Sequence, residues 1–137
     1  MKSFLFSWFP VIAYCILIFI QSSHPPSGSI PEWPYVDKLL HFSGYALLGI
    51  LFLRAFRTIR FKNNGKLTIT LSITASSLYG LSDEIHQYFV PSRNADMIDI
   101  IADAAGSISG IIIYSLISGK IAKKPPDILS GNAEIPD

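Results

Sequence analysis

Four apolar stretches, separated by short polar segments, make up most of this chain. They cover residues 4–20, 39–56, 67–81 and 97–118. Each is close to the ~20 residues that a helix needs to cross the hydrocarbon core of a bilayer. The pattern predicts an all-α integral membrane protein, a bundle of four transmembrane helices that alternate in direction.

Basic and acidic residues separate onto opposite ends of this predicted bundle. If neighbouring helices alternate, one end receives nine of the eleven Lys and Arg residues, namely Lys2, Arg54, Arg57, Arg60, Lys62, Lys66, Lys120, Lys123 and Lys124. The other end receives seven acids and all three histidines, namely Glu32, Asp37, Asp83, Glu84, Asp96, Asp99, Asp103, His24, His41 and His86. Lys and Arg are enriched on the cytoplasmic side of membrane proteins, so both termini are predicted to be cytoplasmic.

Composition supports the membrane class. Half of the residues are hydrophobic, 15% are charged, and the mean hydropathy is +0.40. An ordinary soluble domain contains about 25% charged residues, so the chain does not fit that class. The net charge of +1 gives no indication of a nucleic-acid partner. The single cysteine, Cys15, excludes an intrachain disulfide, and we expect it to be a small buried hydrophobe.

The chain is predicted to form one membrane domain over residues 1–119, followed by a disordered cytoplasmic tail over residues 120–137. The first stretch is longer than the ~7–15 apolar residues of a cleaved signal peptide, which favours a retained anchor over cleavage. The proline-rich segment 22–35 is predicted to be an extended loop on the outer face. Pro10 is expected to be tolerated inside a spanning helix.

Polar side chains recur at helical spacing near the outer ends of three predicted helices. Asp37, His41 and Tyr45 are four residues apart and share one face, and Asp37 is expected to cap its helix. In the third stretch, steps of three and four align a second stripe, namely Ser72, Ser76, Tyr79, Asp83 and His86, and Gln87 follows four residues after Asp83.

The fourth stretch places Asp96, Asp99 and Asp103 on the same face as Gly106 and Gly110. The Gly-x-x-x-Gly spacing lets another helix approach closely, so these acids are predicted to point into the bundle. An ionisable side chain inside the bilayer costs at least ~2.5–3.5 kcal/mol. Asp103 is therefore expected to pair with a cation, bind a metal or remain protonated.

Simpler explanations exist for individual residues. Lys38 and Arg93 would hold loops together if they pair with neighbouring acids. His41 would be a hydrogen-bonded core imidazole, and His86 a water-exposed boundary residue. None of these explanations accounts for so many inward-facing charges near one membrane surface. Their joint occurrence favours a functional site.

Two segments resemble the VanZ-like family of small bacterial membrane proteins, which is named after a protein linked to teicoplanin resistance. The first is D-K-L-L-H-F at 37–42, followed by Tyr45. The second is Y-G-L-S-D-E-I-H-Q-Y-F-V-P-S-R at 79–93, followed by Asp99, Asp103 and Gly106. Ser92 stands where the family pattern has Gly. The resemblance implies a four-helix domain in the bacterial cytoplasmic membrane and a link to glycopeptide response, but it implies no chemical mechanism.

The first hypothesis for function is an enzyme that acts on a phosphate-bearing lipid or lipid-linked cell-wall precursor. The candidate catalytic residues are Asp37, Lys38, His41, Asp83, Glu84, His86, Gln87, Arg93, Asp99 and Asp103. Arg93 would clamp phosphate bidentately and Lys38 would add a point charge. Either His41 or His86 would act as a general base.

A divalent metal is a further hypothesis for the same site. The candidate ligands are His41, Asp83, Glu84 and Asp99, because carboxylate oxygen suits Mg²⁺ or Mn²⁺ and imidazole favours Mn²⁺ or Zn²⁺. Their spacing matches no defined metal signature, so the cofactor stays open.

A non-enzymatic protein is the alternative. The same groups would hold a lipid headgroup, an antibiotic or a partner protein and change access to the envelope without chemistry. Ion transport ranks lowest, because the third and fourth stretches offer only hydroxyl groups toward the inner face. The lipid bilayer is the one partner that the sequence indicates, and the oligomeric state stays open.

Overall fold

The computed structural model describes residues 2–24, 35–59, 64–91, 93 and 95–122, with side chains described between residues 4 and 118. These residues form four helices, namely α1 (Lys2–Ser22), α2 (Val36–Phe56), α3 (Gly65–Tyr88) and α4 (Met97–Ala122). No strand occurs within the described ranges. The all-α prediction is confirmed.

Several sequence predictions fall outside the described part of the chain. They concern most of the proline-rich loop with Glu32, the tail after residue 122, and the basic side chains Lys2, Arg60, Lys62, Lys120, Lys123 and Lys124. Helix α4 continues to Ala122, three residues past the predicted end of the membrane domain.

Three helices are long and apolar enough to cross a membrane. Their candidate spans are Phe4–Ser22, Val36–Phe56 and Met97–Ser118. Of the four described helices, α3 is the one that does not qualify, because Ser and Thr residues and a charged end lower its hydropathy. The chain is therefore a membrane protein whose described residues form four helices, and a fourth membrane span stays a prediction.

The bundle is polar inside and apolar outside. Its buried polar side chains include Thr68, Ser72, Ser76 and Ser107. Its exposed side chains include large aliphatic ones on every helix, for example Leu5, Leu39, Leu78 and Ile101. A soluble bundle buries its apolar stripe, whereas a helix bundle in lipid can expose that stripe and associate through small and polar residues. The observed distribution follows the second rule.

Helices α2 and α4 are in close backbone contact. A Cβ at Gly106 would overlap the carbonyl group of Phe42, and a Cβ at Gly110 would overlap that of Ala46. From the other side, a Cβ at Gly49 would lie 2.9 Å from the carbonyl oxygen of Ser107. Glycine is required here by this close approach, as the Gly-x-x-x-Gly spacing predicts.

Helix α1 packs more peripherally and remains continuous through Pro10. At one end, the ring of Trp8 lies edge-on to Phe56, with 5.4 Å between ring centroids. Farther along, the hydroxyl of Tyr79 on α3 donates to the carbonyl oxygen of Cys15 at 2.6 Å. Cys15 is half-buried, so the prediction of a buried small hydrophobe is only partly met.

The helix starts differ in how they are capped. Helix α2 begins at Val36 after Tyr35, which has a left-handed φ of 82°, and no side chain caps it. The prediction that Asp37 is the N-cap is therefore wrong: Asp37 lies in the first turn, where its charge still suits the helix dipole. Helix α4 does have a side-chain cap, because Oδ1 of Asp96 accepts from the backbone N–H of Ile98 at 2.9 Å.

Candidate functional site

The predicted site residues meet at one end of the bundle, where α1 and α3 end and α2 and α4 begin; we call this the acidic end. Apart from Asp37 and Arg93, which line a cavity described below, they belong to two groups. The ion-pair cluster consists of Lys38, His41, Glu84, Asp96, Asp99 and Asp103. The Ser22 cluster consists of Ser22, Ser23, Asp83, His86 and Gln87. The described basic side chains Arg54, Arg57 and Lys66 lie at the opposite end.

Lys38 bridges two carboxylates of α4. Its Nζ lies 2.7 Å from Oδ2 of Asp96 and 2.7 Å from Oδ1 of Asp99. Asp99 is 2% exposed, so its charge is compensated inside the bundle. At the edge, the hydrogen bond from Lys38 lowers the pKa of Asp96 below its ordinary value. The simpler explanation of Lys38, pairing with neighbouring acids, is the one that the structure bears out.

His41 joins the remaining acids of the ion-pair cluster. Its Nδ1 lies 2.9 Å from Oδ1 of Asp103, so the deep carboxylate has the polar partner that its position requires. Its Nε2 lies 3.9 Å from Oε1 of Glu84. The other oxygen of Glu84 accepts from the backbone N–H of Asp96 at 3.0 Å. The ring also stacks parallel to that of Tyr45, at 6.3 Å between centroids.

Within the described part of the chain, three buried polar atoms near this cluster find no hydrogen-bond partner: Oη of Tyr45, Oε1 of Glu84 and Oδ2 of Asp103. Each of these residues is at most 2% exposed. The phenol of Tyr45 also interacts electrostatically with Asp103 and Glu84, which places the three groups in one region. Buried polar atoms without partners are rare in native proteins, and a bound ion or water is one explanation for them.

The Ser22 cluster ties α1 to α3. Oγ of Ser22 donates to Oδ1 of Asp83 at 2.6 Å, and the amide of Gln87 donates to Oδ2 of Asp83 at 3.2 Å. The hydroxyl of Ser23 lies 2.9 Å from Nε2 of His86. The imidazole of His86 also stacks on Phe19, with 4.6 Å between centroids. The predicted residues Asp83, His86 and Gln87 thus hold the end of α1.

Arg93 contacts backbone carbonyls rather than acids. Its Nε donates to the carbonyl of His24 at 3.0 Å, and its Nη2 donates to the carbonyl of Gln21 at 3.0 Å. Among the described residues, Arg93 does not form the pairing with a neighbouring acid that was its simpler explanation. A guanidinium group has five N–H donors, so these two bonds leave others available.

A cavity of about 610 Å³ lies between α1 and α2 at the acidic end. Its polar wall is formed chiefly by Asp37, His41, Asp83, Gln87 and Arg93. Its apolar wall includes Leu17 and Leu40, which are 54% and 45% exposed. Because these leucines also lie on the outer surface of the bundle, the cavity is accessible from the side that lipid would cover.

Residues 4–118 match the family model described as VanZ/LLP1. The chain belongs to the VanZ/LLP1 family. The resemblance that the sequence motifs indicated is confirmed over nearly all of the described chain. No curated protein and no solved structure matches this chain.

In this VanZ/LLP1 protein, the four predicted metal ligands do not form one group. Among the described residues, one potential ligand atom from each of Asp37, His41 and Asp99 lies within 4.8 Å of the others. Asp83 belongs to the Ser22 cluster instead, with both carboxylate oxygens hydrogen-bonded. The group that the described residues form thus contains Asp37, which was not a predicted metal ligand, and lacks Asp83, whose side chain turns toward α1.

Several residues of the ion-pair cluster and the Ser22 cluster of this VanZ/LLP1 protein were not among the predicted site residues. Asp96 and Tyr45 lay on the predicted stripes but were not among the candidate residues, and both now lie in or beside the ion-pair cluster. Ser22 and Ser23 had no spacing that linked them to α3, so only their position after a long apolar stretch could have indicated them. His24, which was also not among the candidate residues, lines the cavity.

Proposed function

We propose that this protein binds a membrane lipid with a phosphate-bearing headgroup in the cavity between α1 and α2. The observation that carries the proposal is the division of that cavity into an apolar wall and a polar end. Its volume of about 610 Å³ lies within the range of roughly 300–1,000 Å³ typical of small-molecule sites. An amphiphile would place an acyl chain along Leu17 and Leu40 and its headgroup beside Arg93.

The membrane placement is part of this proposal. We infer that all four helices cross the bacterial cytoplasmic membrane, with both termini cytoplasmic and the acidic end outside. Arg54, Arg57 and Lys66 at the opposite end support this orientation through the positive-inside rule. Helix α3 supports a fourth span because it buries Ser72 and Ser76 and exposes Leu78.

Arg93 is the best candidate for the phosphate contact. It lines the cavity, and its two bonds to carbonyls fix the guanidinium plane while leaving N–H donors for an anion. Lys38, the other predicted phosphate ligand, is engaged by Asp96 and Asp99 and does not line the cavity. Of Lys38 and Arg93, we therefore assign the phosphate contact to Arg93.

Native mass spectrometry with two lipids of identical acyl chains tests this role. We expect the wild type to retain phosphatidic acid more strongly than diacylglycerol. Arg93→Gln should reduce phosphatidic acid retention roughly tenfold or more, because hydrogen bonds to charged groups contribute about 1.5–3 kcal/mol. Arg54→Gln, an exposed arginine at the other end, is the control and should bind like the wild type. Equal retention of both lipids by the wild type would refute the phosphate assignment.

A second variant tests the cavity itself. Gly44 lines the cavity, and a Cβ there would meet only the hydroxyl of Tyr14, at 3.6 Å. Gly44→Leu should therefore fill the cavity and reduce retention of both lipids. Leu47→Phe adds volume to an exposed position of the same helix and should have no such effect. Unchanged retention by Gly44→Leu would place the lipid elsewhere.

The physiological role that we propose is a change in envelope access, linked to glycopeptide response as the VanZ resemblance implies. Expression in a susceptible bacterium should raise the teicoplanin concentration needed to stop growth, and Arg93→Gln should abolish this effect. Anchoring of a partner protein is the alternative non-enzymatic role. It predicts that the response survives Arg93→Gln and Gly44→Leu but requires a co-purifying protein.

The His41–Asp103 pair favours catalysis as a second candidate function. An imidazole that lines a cavity and is oriented by a carboxylate on its other nitrogen has the arrangement of a general base. Release of headgroup phosphate from phosphatidic acid by the wild type, lost in His41→Asn while lipid retention persists, would support it. No release by either protein would leave binding as the function.

A further inference from the structure

We propose that a divalent cation binds at the acidic end between Asp37, His41 and Asp99, with Glu84 as a fourth ligand. The inference deepens the proposed function, on which its link to lipid phosphate rests. Potential ligand atoms of the first three residues lie within 4.8 Å of one another. Asp37 and His41 also line the cavity, so a cation there would be within reach of a headgroup.

His41 is oriented as metal-ligating histidines are. With Nδ1 of His41 engaged by Oδ1 of Asp103 at 2.9 Å, Nε2 is the ring nitrogen left to bind a cation. A carboxylate behind the imidazole is the usual outer partner of a histidine ligand, and it raises ligand basicity. Asp103 is then a positioning residue, not a ligand.

Glu84 supplies the second, independent observation. Among the described residues its buried Oε1 finds no hydrogen-bond partner, and it lies 3.9 Å from Nε2 of His41. That separation is too long for a hydrogen bond, and a cation about 2.1 Å from each atom fits between them. Glu84 lies outside the group of three residues whose ligand atoms are within 4.8 Å of one another, so its carboxylate would close onto the cation as the cation binds. Oδ1 of Asp99 contacts Lys38, and we assign the second oxygen of this carboxylate to the cation.

The excess of negative charge at the acidic end also favours a bound cation. Six carboxylates lie at the acidic end, namely Asp37, Asp83, Glu84, Asp96, Asp99 and Asp103, and the permanent cations described there are Lys38 and Arg93. Four of these carboxylates are buried, where unpaired charge is costly. A divalent cation would offset part of this excess and would attract a phosphate that the carboxylates alone repel.

Mn²⁺ binding to the purified full-length protein tests the site. A ligand set of one imidazole and carboxylates suits Mn²⁺, and paramagnetic resonance of the free ion reports its uptake after treatment with EDTA. We expect one saturable site in the wild type. Asp37→Asn should weaken it at least tenfold, and because Asp37 is exposed this variant should fold normally.

Asp83→Asn is the matched control, because Asp83 lies at the same end but outside the proposed ligand set. It should bind Mn²⁺ within about threefold of the wild type, the scatter expected of context effects. Absence of saturable binding in the wild type would overturn the proposal. So would equal binding by Asp37→Asn, or a loss in Asp83→Asn as large as in Asp37→Asn.

The lipid measurement separates this inference from the proposed function. If phosphatidic acid is retained in EDTA as strongly as with Mn²⁺, the bridging role fails and the lipid site stands. If Mn²⁺ binds with the expected variant pattern but neither lipid is retained, the lipid function fails and the cation site stands.

Discussion

Gly80 of α3 lies directly against the carboxylate of Asp103 on α4. A Cβ at position 80 would be 2.6 Å from Oδ2 of Asp103 and 3.0 Å from its Cβ. The absence of a side chain at Gly80 therefore makes room for an acid about two turns inside α4. With Oδ1 bound to His41, this contact fixes both sides of the carboxylate. The deepest charged group of the site depends on a glycine that carries no chemistry.

Replacing that glycine should disturb the ion-pair cluster. Gly80→Ala should lower the free energy of unfolding by about 1–3 kcal/mol, the usual effect of overpacking a tight interior contact. Unfolding by SDS in mixed micelles measures the change. Gly65→Ala is the control, because nothing lies within 4 Å of a Cβ at that position. Equal stability of the two variants would show that Asp103 moves aside without cost.

Loss of the Lys38 ammonium should destabilise the same end more strongly. Lys38→Met leaves Asp99, which is 2% exposed, without its cation. Removing one partner of a fully buried pair typically costs about 3–5 kcal/mol, and this is the upper bound here because the side chain of Lys38 is 24% exposed. The same unfolding assay should show Lys66→Met, an exposed lysine at the opposite end, to be near neutral.

A double variant separates the charge from the loss of packing. Lys38→Met combined with Asp99→Asn removes both charges and should recover part of the stability lost in Lys38→Met. If the double variant is less stable than Lys38→Met alone, Asp99 has a compensating partner other than Lys38.

The close contact of α2 and α4 predicts a third effect. A Cβ at Gly110 would overlap the carbonyl of Ala46, and backbone cannot yield as a flexible side chain can. Gly110→Ala should therefore push the two helices apart and lower the unfolding midpoint clearly. Ala105→Val, on an exposed face of α4, is the control and should leave it nearly unchanged. A midpoint preserved in Gly110→Ala would contradict the described helix contact.

Much of the fold follows from the sequence because lipid imposes simple rules. The lengths of the apolar stretches indicated four helices, and the spacing of Gly106 and Gly110 indicated the close approach of another helix, which the structure identifies as α2. Helix α3 was harder, since its hydroxyl groups weaken the hydropathy signal by which spans are recognised. Its polar face makes sense only against the neighbouring helices that bury it.

The sequence indicated which residues gather at the acidic end, but not which of them contact one another. Spacing of three and four residues places Asp83 and Glu84 near the same end, yet adjacent positions on a helix point about 100° apart. Glu84 consequently faces α4, and Asp83 faces α1. The sequence alone does not indicate which neighbouring helix each of these side chains contacts. For this reason Asp83 was predicted to be a metal ligand, whereas its carboxylate contacts Ser22 and Gln87.

The orientation of the bundle is the prediction on which the location of the site depends. Alkaline phosphatase, which is active only outside the cytoplasmic membrane, should be active when fused after His24 or Pro91 and inactive after Lys66. Green fluorescent protein at the same three positions is the reciprocal control, since it fluoresces only when it folds in the cytoplasm. An inverted pattern would place the acidic end inside and remove it from lipids of the outer leaflet. Matching signals after Lys66 and Pro91 would instead mean that α3 does not cross, so that its polar face and exposed leucines need another explanation.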